Sequence, residues 1–194
     1  MEQMTENLPS YRVNDILNQI IQADYGDHYL IVYPDLPILR ELYSKYVQNQ
    51  NQTINNNEII LINPFYETPN SVRQTLSKSG INVSKCEKEN ELVIIDSMQE
   101  YFAAQPDMLF KRNLVNHAKQ NGKRGLSIIG DIGAYTHRSQ YNDLVDYELS
   151  LPIKFDVEMK GFCLYHQKDF DKFSDEQKQQ LIGHHGKTLK IDKS

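Results

Sequence analysis

The sequence predicts an α/β domain: three layers, α/β/α, around a mostly parallel sheet of about six strands. Two observations carry this. EIILIN (58–63), ELVIID (91–96) and GLSIIGD (125–131) are short, continuous apolar runs, as expected of strands covered on both faces. Between them lie segments whose apolar residues recur at helical spacing, so strands and helices alternate, as in parallel sheets with helical crossovers.

The elements follow in order. The amphipathic stretch VNDILNQIIQA within the first 27 residues reads as a helix that packs on the sheet or docks a partner, and 1–26 as an N-terminal extension to a domain over 27–194. HYLIVY (28–33) is the first strand, ended by Pro34. Leu36, Leu39, Leu42, Tyr43, Tyr46 and Val47 then mark a helix, and the polar run QNQNQTINNN a loop or frayed helix end. After EIILIN, stopped by Pro64, a helix runs from Pro69 to Lys78 with Gly80 as its stop. ELVIID is the third strand. A helix over 106–121 ends at Asn121-Gly122 and leads to GLSIIGD. Residues 140–150 are helical, KGFCLYH (160–166) is the fifth strand, and 174–184 a helix capped by Ser174. KTLKID (187–192) closes the sheet as an edge strand.

Composition narrows the partners. Of 194 residues 39% are hydrophobic and 24% charged, so the chain can bury a core without disulfides or a metal. The net charge is −5 and no Lys/Arg cluster forms a stripe, which disfavours direct nucleic-acid binding. Cys86 and Cys163 form no C-x-x-C, and suit reduced thiols in a reducing compartment. No apolar h-region and no long apolar run occurs, so a cytoplasmic protein with no membrane contact is expected.

Open parallel sheets bind ligands beyond the carboxyl ends of their strands. Tyr33, Asp35, Asp131, Tyr135, Tyr165 and His166 stand there, together with Asn63, Phe65, Tyr66 and Asp96. A rim rich in tyrosine and carboxylate favours a neutral or weakly polar small molecule over a phosphate-rich one. Asp131 either holds a ligand-linked cation or, more commonly for a strand-end aspartate, caps the next turn. Glu148 either projects toward that turn or is solvated.

GHHGKT (183–188) is a decoy. A phosphate loop needs a glycine five residues before Gly186, where Leu181 stands, and must lead from a strand into a helix. After the first strand comes YPDLP, without glycine or lysine, which excludes nucleotide hydrolysis by that mechanism. Metal ligation has little support: Cys163 and His166 point to opposite faces of a strand, and His184 and His185 are adjacent and diverge. No G-x-S-x-G elbow occurs, and Cys163 reads as a small core hydrophobe. No cofactor and no enzymatic activity are expected.

The order of these signatures resembles the MEDS domain, the sensory domain of methanogens, methylotrophs and the dichloromethane regulator. The matching pieces are His28 and Tyr33 bracketing HYLIVY, then Gly130-Asp131, Tyr147-Glu148, FCLYH, Phe170 and His185. Two positions depart from the pattern: His166 where an aspartate is common, and Gly186 where proline is usual. The resemblance implies a RecA/KaiC-like core without a working P-loop that senses small organic compounds. The leading expectation is therefore a sensory module with a ligand seat at the carboxyl-end rim of the sheet, formed by Tyr33, Asp35, Asp131, Tyr135, Glu148, Tyr165 and His166. With 194 residues filled by the sensor, the signal is expected to pass to a separate protein in signalling or transcription regulation, or through a homodimer. The competing expectations are an interaction module using the N-terminal helix or KTLKID, a non-hydrolysing nucleotide binder, and an enzyme using Asp131 and Glu148 as an acid–base pair.

Overall fold

The computed structural model describes residues 8–52, 58–102 and 107–193. Seven strands of these residues form one sheet: β1 (Ser10–Tyr11), β2 (His28–Tyr33), β3 (Glu58–Asn63), β4 (Leu92–Ile94), β5 (Gly125–Asp131), β6 (Met159–His166) and β7 (Lys187–Ile191). Their spatial order is β1-β7-β2-β6-β5-β3-β4, and every pairing among the described residues is parallel. Among the described residues ten helices connect them: α1 (Val13–Ile21), α2 (Leu36–Gln52), α3 (Pro69–Lys78), α4 (Val83–Lys88), α5 (Ser97–Tyr101), α6 (Asp107–Gln120), α7 (Gly133–His137), α8 (Tyr141–Ser150), α9 (Gln167–Phe170) and α10 (Asp175–His184).

The α/β class is as predicted, and the reason is the one read from the chain. β2, β3 and β5 are buried along their whole length, because helices cover both faces. Residues of α1 to α4 pack with Ile31, Tyr33, Ile60, Ile62 and Ile129 on one face. On the other, α8 and α10 cover Leu30, Val32 and Tyr165, and α6 covers Ile59, Leu61, Leu126 and Ile128. No helix of the described residues is long and apolar enough to cross a membrane.

Local signals set the boundaries. Thr68 caps α3 by accepting from the Ser71 amide, with Pro69 in the first turn. Ser174 and Gln177 form a reciprocal capping box on α10. α6 ends where Gly122 takes φ +71°, a conformation that favours glycine.

Two expectations need correction. KTLKID is not the edge: β7 lies between β2 and the two-residue β1, whose Ser10 and Tyr11 pair with Lys190 and Ile191. A strand of two residues carries no alternation to read. The third strand stops at Ile94, because Asp96 turns the chain by accepting from the Met98 and Gln99 amides at the start of α5. The polar run from Gln48 begins as the end of α2, which continues to Gln52, in keeping with the helix-end reading; residues 53–57 lie outside the described part. The short helices α4, α5, α7 and α9 have too few residues to show a period.

Candidate functional site

The predicted rim residues fall into two groups on opposite faces of the sheet. Tyr33 and Asp131, on β2 and β5, flank the end of β6, and the Tyr33 hydroxyl donates to Asp131 Oδ2 across it at 2.8 Å. Asp131 Oδ1 accepts from the Gly133 amide at 2.9 Å, so the strand-end aspartate does cap the following turn. Burial pushes the Asp131 carboxyl up to about 7, while the Gly133 amide and the Tyr33 hydroxyl pull the other way. Burial, with the Asp131 charge, likewise raises the Tyr33 phenol far above its ordinary value.

Around this pair stand side chains the sequence reading underused. Tyr66 donates to Asp169, a buried carboxylate also paired to Lys172 at 3.0 Å. The His166 ring packs against Tyr33 and Tyr66, with both ring centroids 5.1 Å away, and its Nδ1 accepts from the Lys168 amide to cap α9. Asp35 accepts from the Ile38 amide and pairs with Lys193 at 3.1 Å. The turn after β2 is thus closed by a carboxylate and opens directly into α2. GHHGKT runs from α10 into β7, the reverse of a phosphate loop.

The second group lies under α8. Glu148 is fully buried rather than solvated. Tyr165 alternates inward from the rim onto the same face and donates to Glu148 Oε1 at 3.1 Å. Glu148 Oε2 lies 3.6 Å from His28 Nε2 and 3.5 Å from His185 Nε2. Cys163 Sγ lies 3.3 Å from His28 Nε2 and 3.9 Å from Glu148 Oε2. Burial, the largest single influence, would raise the Glu148 pKa, but the contacts with His185 act against it. With help from His28 and Tyr165, the carboxyl is held below its usual range. Burial, then the neighbouring His185, lowers His28 to about 4, so its ring is neutral at physiological pH.

This second cluster borders a narrow cavity. Gly130 and Gly161 leave the sheet surface bare where Tyr101 and Phe155 descend on it: a Cβ at Gly130 would stand 3.0 Å from the Tyr101 hydroxyl, and one at Gly161 3.0 Å from the Phe155 ring. His28, Cys163, Tyr147, Lys111 and Met108 complete the walls, around a volume of about 20 Å³. Lys111 is buried and lies 3.4 Å from both Glu100 Oε1 and the Tyr147 hydroxyl, so its charge is balanced where it stands. Tyr135 packs beside this wall, stacked on Tyr147 at 5.6 Å and tilted against Tyr101 at 5.5 Å.

Sequence reasoning placed Glu148 and Tyr165 in a site but missed Lys111, Tyr101 and Phe155, and assigned Cys163 to the core. The available signal was the repeated position of histidine: His28 opens β2 and His185 stands two residues before the neighbouring β7.

Fold and clusters together define the class: a three-layer α/β domain with an all-parallel sheet among its described residues, no phosphate loop, and a set of polar side chains sealed beneath its helices. The family model of the MEthanogen/methylotroph, DcmR Sensory domain matches residues 27–186, and the chain belongs to this family. Its role is accordingly sensory or regulatory. No curated protein matches the chain.

Proposed function

We propose that the domain senses a small organic compound held in the cavity over Gly130 and Gly161, and signals through a separate protein partner. The cavity carries this reading. Its walls are aromatic and apolar, with a few polar groups converging from His28, Cys163, Lys111 and Tyr147, the usual make-up of a small-molecule site. Its size suits a ligand of very few heavy atoms, since a single water needs roughly 10–15 Å³ by the same measure. A RecA/KaiC-like core that has lost nucleotide handling belongs to the same reading, supported by the glycine-free turn at Tyr33-Pro34-Asp35.

The rim around Tyr33, Asp35, Asp131 and His166 is the second candidate seat. One observation favours it: Asn63, buried at the end of β3, has no hydrogen-bond partner for either amide atom among the described residues.

A thermal-shift screen tests the function. One panel holds neutral organics and short acids of a few heavy atoms, the other ATP, ADP and other nucleotides with Mg²⁺. A hundredfold saturated site adds about 2.7 kcal/mol, which moves the midpoint of a domain this size by about 2–4 °C. The expected result is a shift from members of the first panel alone. A shift from nucleotides alone would make the protein a nucleotide switch, and none from either panel would make it an interaction module; both contradict the proposal.

A further inference from the structure

We propose that His28, Glu148, Cys163 and His185 form a binding site for one divalent transition-metal ion of the zinc class. The inference rests on these four side chains and is independent of what the neighbouring cavity holds.

One donor atom from each of the four side chains lies within 4.8 Å of all the others. The closest separations, 3.3, 3.5, 3.6 and 3.9 Å, are near the edges of a tetrahedron around such an ion. With metal–ligand bonds of about 2.0–2.3 Å those edges are about 3.3–3.8 Å. Two imidazoles, a thiol and a carboxylate are a donor set for zinc and its neighbours, not for calcium or magnesium, which take oxygen.

The setting of His185 points the same way. Its Nδ1 lies 2.7 Å from the Leu181 carbonyl. A carbonyl only accepts, so this bond orients the ring and turns Nε2 toward the other three donors. Nε2 has no hydrogen-bond partner among the described residues, is fully buried, and faces Glu148 Oε2 at 3.5 Å. The outer contacts are those of a ligand shell: a backbone carbonyl orients the histidine, and Tyr165 occupies Glu148 Oε1 so that Oε2 is left to point inward. Cys163 is half-buried and lines the cavity with His28, which provides a way in. Four protein donors complete a tetrahedron, so the ion would tie β2, α8, β6 and the start of β7 together rather than activate water.

The test uses the whole chain after treatment with EDTA. Titration with Co²⁺ is expected to reach one equivalent, with the visible bands of a tetrahedral ion and a near-ultraviolet thiolate-to-cobalt band, and Zn²⁺ is expected to displace it. Cys163→Ser should abolish the thiolate band, and His185→Ala should weaken Zn²⁺ binding at least about 100-fold, the upper end of what losing an outer-shell partner costs. If folded wild-type protein takes up no Co²⁺, or Cys163→Ser takes it up with an unchanged spectrum, the site does not exist as proposed. Should Cys163→Ser not fold, thiol titration of wild type decides: Zn²⁺ should shield Cys163, and equal reactivity with and without Zn²⁺ overturns the proposal.

Discussion

Replacing Glu148 with alanine is expected to lower folding stability by about 3–5 kcal/mol, measured by urea denaturation at neutral pH with a chelator present. The carboxylate is fully buried, accepts from Tyr165 at Oε1, and faces His28 and His185 with Oε2. Alanine removes the acceptor of a buried hydroxyl, at about 1–3 kcal/mol, and leaves an unfilled space beneath α8. Glutamine retains an acceptor for Tyr165 and should lose less. A loss below about 1 kcal/mol in the alanine variant would mean that the cluster does not hold α8 to the sheet.

Asp131→Asn is expected to gain stability relative to wild type as pH rises, the difference between the two shifting in its favour by about 4 kcal/mol between pH 3 and pH 8. The sign follows from where the proton sits. In the fold the carboxyl keeps its proton to about 7, whereas in the unfolded chain it gives it up near 3.8. Between those values the folded state binds one proton more, so the stability this group contributes is present in acid and is lost as pH rises toward 7. Asparagine does not titrate, and its amide oxygen can still accept from Tyr33 or the Gly133 amide. The difference between variant and wild type should therefore grow by about 1.4 kcal/mol per pH unit from pH 5 to 7 and then level off. Other titrations are shared by both proteins and cancel. A difference independent of pH would show that Asp131 is ionised in the fold like an ordinary carboxylate.

Most of the sheet was legible because its strands announce themselves. HYLIVY, EIILIN and GLSIIGD are strands over the very residues read from the chain, since each is a short run rich in β-branched and other apolar residues bounded by polar residues, glycine or proline. β1 was not legible: Ser10-Tyr11 owes its strand state to the edge of β7, not to any pattern of its own. The site was legible residue by residue but not as an arrangement. Placing Asp131 and Tyr33 at strand ends needs only local sequence, whereas knowing that they meet across β6 needs the strand order. The cluster under α8 shows the same limit. Residues 28, 148, 163 and 185 are brought together by the order β7-β2-β6 and by the inward face of α8, and the apolar surroundings of Cys163 suggested only packing. Strand alternation correctly separated Cys163 from His166; what it could not supply was His28 on the adjacent strand.

The most direct test of a ligand seat beneath the helices, rather than at the rim, is amide hydrogen exchange with and without the organic compound giving the largest thermal shift. The account predicts added protection in 97–102, 108–112 and 159–163, the segments that wall the cavity over Gly130 and Gly161. Protection confined to 33–36 and 131–136, with the cavity segments unchanged, would place the ligand at Tyr33 and Asp131 and contradict it.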